Sequence, residues 1–361
     1  MKKQHFFYAI FFYALAVFYL ASTTPISPHE AKIYYSTTGI ASILTHWGEG
    51  IVGGFLGLRI FFIFFGFLAL ILFYKLSRKY FIRQSDAYLA TAIFMILPGI
   101  LTAVTLANVA IIVLTIVLLF VLLYENEQRY FLPLLMLALF FIHEASIIFF
   151  VALLLYGSVH KDKKLVIGSL AFLIAFIYLA KGITIGGRPS GHFVEIFGLY
   201  ATVFSPLLFL YFFYAMYRIL LREKKTLLWY ISFTALAFSL LLSLRQRVYL
   251  TDFAPYVMIS VVLMLDTLNH SVRVRLPEFQ KLYRQGFYIV IGFLIVTAIV
   301  MVFHKALYYM ADNPNKHFAK RIYKPYELAK TLKSKGLECF DTPSERERLQ
   351  LRYYNILPCA K

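Results

Sequence analysis

The sequence predicts an all-α polytopic membrane protein with about 11 transmembrane helices and a small soluble C-terminal tail domain. Of its 361 residues, 61% are hydrophobic and only 15% are charged, whereas soluble domains carry about a quarter charged residues. The apolar residues form blocks, such as 61–74 and 110–124, that are apolar on every side and are separated by short basic clusters. A helix needs about 20 residues to cross roughly 30 Å of hydrocarbon, so these blocks predict membrane spans.

Eleven segments have the apolar character expected of spans. They lie at residues 6–22, 53–74, 87–104, 108–124, 131–142, 145–159, 165–180, 200–217, 226–244, 252–268 and 287–304. The fifth and sixth are short and fit a tilted or re-entrant pair. The first resembles a secretory signal, but its apolar run is longer and more aromatic than such signals have, and no clear cleavage site follows. We therefore expect it to be a retained helix.

The net charge is +18. Because the lysines and arginines are arranged according to the side of the membrane that each loop faces, the charge does not predict a nucleic-acid partner. With the N-terminus in the cytoplasm, the inward-facing segments hold 18 lysines and arginines, against five in the outer loops between spans. The outer loops between spans hold Lys32, Lys181, Arg188, Arg245 and Arg247. This asymmetry follows the positive-inside rule, and it places the C-terminal tail on the side opposite the cytoplasm.

Two domains are expected. Residues 1–304 form the transmembrane domain, with outer loops at 23–52 and 181–199, and residues 305–361 form the tail. The first outer loop combines aromatic and amphipathic character, which suits helices lying in the membrane interface. The second is glycine-rich and suits a lid. We find no internal repeat and no Walker, Rossmann or zinc-finger pattern, which disfavours an ATP-driven pump.

Two short segments outside the spans carry further structural expectations. A short helix is expected at 29–45 in the first outer loop. Both cysteines, Cys339 and Cys359, lie in the tail, which the topology places in an oxidising compartment. A disulfide between them is therefore predicted, with two free thiols as the alternative.

Two His-Glu pairs are candidates for chemistry, because ionisable residues near membrane depth are costly and often functional. One is His29-Glu30, for which the alternative is an acid at a helix N-terminus. The other is His143-Glu144, which lies between two strongly apolar runs. Its alternative role is to satisfy backbone groups at a tight turn between helices.

Basic residues after the ninth predicted span are candidates for binding an anionic group. Arg245 and Arg247 lie beside Tyr249, and their position runs against the inside rule. Guanidinium groups bind phosphate bidentately, so a phosphate headgroup is one interpretation and interface anchoring is the other. Lys181 and Arg188 are expected to assist them.

Three residues have open interpretations. Arg59, inside the second span, is either buried and paired or extended toward the interface. His192 and Glu195 would share one helix face and offer two ligands to a divalent metal, which spacing alone does not decide.

Several of these motifs occur in an order that resembles the GT-C glycosyltransferases. The motifs are Pro-His-Glu-Ala-Lys-Ile-Tyr at 28–34, Gly-Leu-Arg at 57–59, and Ser-Leu-Arg-Gln-Arg-Val-Tyr at 243–249, which runs into Asp-Phe-Ala-Pro-Tyr at 252–256. The chain is similar in layout to the bacterial relatives of protein mannosyltransferases and of the lipid A aminoarabinose transferase. A small soluble outer tail completes the resemblance.

The chain departs from that pattern at three places. The family usually begins its first loop with Asp-Glu, and this chain has His29-Glu30. A second loop commonly supplies an aspartate, where the nearest residue here is Asn108. Many relatives carry a Lys-Gly-Pro turn where this chain has His143-Glu144, which is similar to membrane polymerases and transferases of exopolysaccharide assembly.

The resemblance implies a glycosyltransferase of the bacterial inner membrane that moves a sugar from a polyprenyl-phosphate-linked donor to a lipid, glycan or protein acceptor on the periplasmic face. It implies Glu30 as general base, with a pKa raised by desolvation, and His29 as the alternative base. The implied donor phosphate-binding residues are Arg245, Arg247, Tyr249 and Lys181; the implied substrate-binding residues are His143, Glu144 and Arg188.

Other functions stay open at this stage. A surface-polysaccharide polymerase or ligase would make the two His-Glu pairs central. A transporter or flippase would predict internal symmetry and ionisable groups at mid-membrane, neither of which the sequence has. A non-enzymatic scaffold would fit lost catalysis at His29 and Asn108. The cofactor is unknown, with a divalent metal as one option, and membrane lipids are expected as further partners.

Overall fold

A computed structural model of the chain describes residues 1–179, 192–313 and 316–359, and its regular structure is helical. The only β-type pairing in these ranges is an isolated bridge between Cys339 and Leu357. The α-helices are α1 (Lys3–Thr23), α2 (Pro28–Ser36), α3 (Ile40–Val52), α4 (Gly54–Tyr80), α5 (Gln84–Ile96), α6 (Pro98–Thr105), α7 (Val109–Glu125), α8 (Leu132–Ile142), α9 (Ile147–Val159), α10 (Lys163–Tyr178), α11 (Phe193–Phe204), α12 (Pro206–Arg222), α13 (Leu227–Ser243), α14 (Leu250–Met258), α15 (Val261–Arg273), α16 (Pro277–Val302), α17 (His304–Met310), α18 (Lys320–Ser334) and α19 (Glu345–Tyr353). Short 3₁₀ helices at Arg129–Phe131 and Glu144–Ser146 precede α8 and α9.

Three of the described helices, α1, α4 and α16, are long and apolar enough to cross a membrane. The number is up to six if the bent pairs α5–α6, α11–α12 and α14–α15 each count as one span. Shorter apolar helices lie at Val109–Glu125, Arg129–Ile142, Glu144–Val159 and Leu227–Ser243. The chain is thus an all-helical membrane protein, and the count of 11 spans stays a prediction.

The structure corrects four segments that the sequence predicts as continuous helices. The span at 252–268 bends by 44° between α14 and α15. The expected helix at 29–45 is two helices, because α2 ends at Ser36 and α3 begins at Ile40. The span predicted at 200–217 contains a bend of 107° at Ser205, whose φ is +79°. The span at 87–104 bends by 61° at Leu97, because the following proline disfavours helical backbone at the residue before it.

The chain divides into two compact units. The first unit comprises Met1–Phe11, Phe65–Leu101 and Ala110–Ala298, and the second comprises Phe12–Phe64, Thr102–Val109 and Ile299–Lys361. In the first unit, α9 packs against α10 and α13, and α13 packs against α14. Its interior is aromatic and aliphatic, with Phe120, Phe149 and Phe150 fully buried.

The second unit joins the first loop of the chain to its C-terminal tail. Helix α2 packs against α3 and α19, and α18 packs against α19. Ile26, Ala31 and Leu58 form a small core that the tail residues Leu349 and Tyr353 cover. The predicted pair Cys339 and Cys359 forms a disulfide, with the two Cα atoms 4.8 Å apart. The tail is therefore held against the first loop by packing, and the disulfide closes a loop within the tail itself.

Candidate functional site

The start of α2 positions Glu30. Ser27 is the N-cap, and its hydroxyl accepts a hydrogen bond from the Glu30 backbone N–H at 3.2 Å. The Glu30 carboxylate accepts one in return from the Ser27 N–H at 2.9 Å, which completes a capping box. Pro28 occupies the first turn, where its missing N–H costs no helical hydrogen bond. Local sequence therefore determines which way the Glu30 side chain points.

Glu30 forms a buried ion pair with Arg59 of α4. The Arg59 Nε donates to Oε1 at 2.7 Å and Nη2 donates to Oε2 at 2.8 Å. The remaining guanidinium N–H groups donate to the backbone oxygens of Ala21, Thr24 and Pro25. All five N–H donors of the guanidinium are thereby used. The open question about Arg59 is settled: it is buried and paired.

The environment of Glu30 reverses the expectation for its pKa. Burial opposes ionisation of the carboxyl, but the Arg59 charge and the hydrogen bonds from Arg59, Ser27 and Ala107 outweigh it, so the pKa lies below its ordinary value of 4.5. The predicted raised pKa is wrong, because the sequence does not show these donors. A carboxylate that is 1% exposed and accepts four hydrogen bonds is also poorly placed to take a proton from an acceptor hydroxyl.

The residues beside Glu30 complete this picture. His29 lies in the same first turn of α2 and is exposed. The backbone N–H of Ala107 donates to Glu30 Oε1 at 2.9 Å, and Asn108 directly follows it. The position that the resemblance links to a family aspartate is thus next in sequence to a residue bound to Glu30.

A second carboxylate in this unit, Glu49 of α3, is more accessible. Its side chain is half-buried, and Oε1 accepts a hydrogen bond from the Tyr353 hydroxyl of the tail at 3.2 Å. The Tyr34 hydroxyl is also bonded to it. His46, one turn earlier on α3, stacks on the Tyr34 ring with centroids 4.0 Å apart. Glu49 is therefore held by aromatic partners and still reaches solvent.

The tyrosines around Glu49 remain neutral donors. Burial raises the pKa of Tyr34, and hydrogen bonding to Glu49 raises it further. Burial likewise raises the pKa of Tyr353, with the Glu49 charge adding to the effect. Both hydroxyls therefore stay protonated at neutral pH and orient the carboxylate.

A cationic cavity of about 280 Å³ lies in the same unit. Lys320, Arg321, Lys324 and Arg346 line it, together with Glu347, Gln350 and Pro28 of α2. The Gln350 side chain is 2% exposed, and its amide donates to the backbone oxygens of Ile26 and Arg321. Four cations against one acid suit an anionic group such as a phosphate.

In the first unit, His143 pairs with Asp252 rather than with its neighbour Glu144. The His143 Nε2 lies 3.5 Å from Asp252 Oδ1, and Glu144 is exposed. The other ring nitrogen, Nδ1, is buried and has no hydrogen-bond partner among the described residues. The single hydroxyl hydrogen of Ser146 is shared between the backbone oxygens of Leu139 and His143, which braces the turn. An unpaired buried ring nitrogen is a feature that calls for an explanation.

Among the predicted phosphate-binding residues, Arg247 is exposed and paired with a carboxylate. Arg247 donates to Glu195 Oε1 through Nε at 2.9 Å and through Nη2 at 2.6 Å. His192 Nδ1 lies 3.1 Å from the other oxygen of Glu195. Arg245 and Tyr249 are exposed. Arg247 can bind a phosphate only by exchanging its carboxylate partner.

Two predicted residues and the metal question remain. Lys181 and Arg188 lie outside the described residues. His192 and Glu195 do face each other, as their spacing predicts, but the described ranges contain no group of three or more candidate metal ligands.

Sequence reasoning missed the pairing of Glu49 with Tyr353 and that of His143 with Asp252. Glu49 and Asp252 can be noticed in the sequence as acids that flank the apolar runs, but each contacts its partner only because the chain packs in three dimensions. The tail cations carried a signal, because Lys320, Arg321 and Lys324 are closely spaced in the sequence.

These features define an all-helical membrane protein, and its fold is similar to that of solved structures. The particular likeness is to ArnT, the lipid A aminoarabinose transferase, from Cupriavidus metallidurans. The apo structure of ArnT is 12% identical with a TM-score of 0.56, and the alignment covers 97% of this chain and 84% of that one. The structure bound to undecaprenyl phosphate is 11% identical with a TM-score of 0.60, covering 99% and 86%. No protein-family model and no curated protein matches the sequence.

Proposed function

We propose that this protein is a membrane glycosyltransferase that transfers a sugar from a polyprenyl-phosphate-linked donor. The observation that carries the proposal is the fold, which is similar over almost the whole chain to ArnT bound to undecaprenyl phosphate. The reaction joins an acceptor oxygen to the anomeric carbon of the sugar. The bond from that carbon to the phosphate oxygen breaks, and the polyprenyl phosphate leaves with the electron pair.

Glu49 is the proposed general base. The acceptor hydroxyl must lose its proton, and a carboxylate that solvent reaches is better placed for this than the enclosed Glu30. Tyr34 and Tyr353 hold Glu49 by their hydroxyl groups, and the exposed His29 is the alternative base. Glu30 then acts as a positioning residue that fixes the loop through Arg59.

An anionic part of the substrate is proposed to bind the cationic cavity lined by Lys320, Arg321, Lys324 and Arg346. Charge-assisted hydrogen bonds to phosphate are about twice as strong as neutral ones. Arg245, Arg247 and Tyr249 of the first unit remain the proposed residues for the donor phosphate, with Lys181 in support. His143, Glu144 and Arg188 remain proposed substrate contacts.

The topology is part of the proposal. Eleven spans in a bacterial inner membrane, with a cytoplasmic N-terminus, would place the loop at 23–52 and the tail on the periplasmic face. A catalyst there has no access to cytoplasmic nucleotide sugars, which is the reason to expect a lipid-linked donor. The acceptor would be a lipid, a glycan or a protein.

The direct test uses purified protein in proteoliposomes with a panel of polyprenyl-phosphate sugars and a mixed acceptor extract. Release of free polyprenyl phosphate, followed by mass spectrometry, reports transfer without knowledge of the sugar. Acceptor-dependent release from at least one donor is expected. Absence of release from every donor, with folded protein that still binds undecaprenyl phosphate, would contradict the proposal.

A polysaccharide polymerase or ligase is the second candidate, and the His143–Asp252 pair favours it. A histidine oriented by a carboxylate is a common general base, and His143 Nε2 lies 3.5 Å from Asp252 Oδ1. Under this alternative, His143→Gln would abolish the formation of long glycan chains while single-sugar transfer continued.

A further inference from the structure

A large cavity opens in the first unit, where the start of α5, the end of α15 and the start of α16 meet. Its volume is about 740 Å³. Three arginines, Arg83, Arg273 and Arg284, line it against a single acid, Asp86. Asp86 lies 3.9 Å from Arg273 and accepts a hydrogen bond from Asn269 at 3.3 Å. The negative charge of Asp86 is therefore paired with Arg273, one of the three arginines.

The other two arginines give the cavity an excess of positive charge. Arg83 and Arg284 are exposed, and neither has a carboxylate partner within the described ranges. Guanidinium groups form paired hydrogen bonds with phosphate oxygens. The cavity thus has the chemistry to bind a phosphate anion.

An apolar cavity adjoins the charged one. It has a volume of about 370 Å³ and shares three of its walls, Leu268, Tyr283 and Phe287, with the first. Its other lining residues include Leu282 and Val290. A charged compartment that continues into an apolar one matches a molecule with a phosphate at one end and hydrocarbon at the other.

Helix α16 has little protein around it in the structure. Only Leu294 is buried among its 26 residues. Large apolar side chains such as Ile289 and Val296 are exposed, at 67% and 57%. Its second and third turns line the charged cavity with Tyr283, Arg284 and Phe287. They lie near the end of an apolar helix, which is where lipid headgroups meet basic residues in a membrane.

We propose that the two cavities together bind one membrane phospholipid with an anionic headgroup. Its phosphate lies on Arg83 and Arg284, and its acyl chains lie along Tyr283, Phe287 and Val290. The lipid fills the space between α16 and the helices α5 and α15, and so stabilises the attachment of α16. This site is separate from the residues proposed for glycosyl transfer.

The test uses the whole protein in detergent after delipidation, with lipid added back. Phosphatidylglycerol is expected to raise the Tm and to appear as a bound mass in native mass spectrometry. Phosphatidylcholine and inorganic phosphate are expected to do neither at the same concentration. The double variant Arg83→Gln/Arg284→Gln should weaken phosphatidylglycerol binding at least tenfold, whereas Lys281→Gln, on the same helix outside both cavities, should not.

Several results would overturn the site. Equal stabilisation by inorganic phosphate would mean that an ion alone binds, and equal binding of phosphatidylcholine would remove the role of the arginines. If native mass spectrometry shows a dimer of the protein instead of a lipid-bound monomer, a second copy of the chain covers α16. If the double variant does not fold, the binding of phosphatidylglycerol to the wild type is measured at increasing salt concentration. Salt should release a phosphate that exposed arginines hold. Binding that does not change with salt would be apolar and would contradict the role of the arginines.

Discussion

Arg59 and Glu30 are joined by two short hydrogen bonds, of 2.7 Å and 2.8 Å, with both side chains almost completely buried. The guanidinium also binds the last carbonyl oxygens around the end of α1, which have no helical N–H partner. One side chain therefore connects the end of α1, the start of α2 and the body of α4. The pair is a structural centre of the second unit.

Replacing Arg59 by Met should strongly destabilise the protein. The change leaves a buried carboxylate and three backbone oxygens without their donor, and breaking a buried pair costs about 3–5 kcal/mol. The measurement is unfolding of the detergent-solubilised protein by heat or denaturant. Arg78→Met, an exposed position on the same helix, is the matched control and should change stability little; equal effects would mean that the pair contributes nothing special.

Acid should weaken the second unit through Glu30. The folded-state pKa of this carboxyl is lowered below 4.5, so its stabilising contribution is fully present above the unfolded-state value. That contribution is lost as the pH falls through the folded-state pKa. We expect the Tm of the wild type to fall more steeply below about pH 4.5 than that of Glu30→Gln. Parallel Tm–pH curves would contradict the assignment.

Glu49→Gln should abolish transfer without unfolding the protein. Loss of a general base typically lowers kcat by about 10²–10⁴-fold, and Glu49 reaches solvent, so stability should be kept. Tyr353→Phe removes one hydroxyl partner and should lower kcat by roughly tenfold.

The control for Glu49 is Glu338→Gln, an exposed acid of the tail, which should be silent. If Glu49→Gln remains active and a folded Glu30→Gln variant is dead, the base is Glu30. Full activity of both variants would leave His29 as the remaining candidate in this loop.

Glu195→Gln should tighten the binding of undecaprenyl phosphate to the purified protein. The neutral amide competes less for Arg247, whose two hydrogen bonds to Glu195 must otherwise be exchanged. The pair is exposed, so the gain should be modest, about two- to fivefold in Kd. Arg247→Gln should weaken binding in either background, and an unchanged Kd in both variants would exclude Arg247 from the phosphate site.

The membrane class and the helical architecture could be predicted, because they depend on the hydropathy of whole segments. The bend at Ser205 and the break between α2 and α3 could not, since each depends on a local backbone choice inside an otherwise apolar or helical pattern. Pro206 and Gly39 are consistent with these breaks. Proline and glycine also occur within helices that continue past them, so neither residue alone predicts a break.

The sequence could predict which types of residue the candidate site contains, but not which side chains they contact. The sequence singles out Glu30, but its pKa is set by Arg59 and by the Ala107 N–H, which are far away in the chain. Tyr353 lies 304 residues from the Glu49 that it binds. Contacts at such separations follow from tertiary packing, which one sequence without its relatives does not reveal.

The Glu30–Arg59 pair also bears on biosynthesis. A lone arginine in an apolar helix is costly to insert, by about 2.5–3.5 kcal/mol at the helix centre and by less near the helix end, where Arg59 lies. Glu30 precedes Arg59 in the chain, so the ribosome makes the acid first and the counter-charge is already available when α4 leaves the translocon. We therefore expect Glu30 to lower the free-energy cost of inserting Arg59, and α1 through α4 to enter the bilayer as one cooperative step.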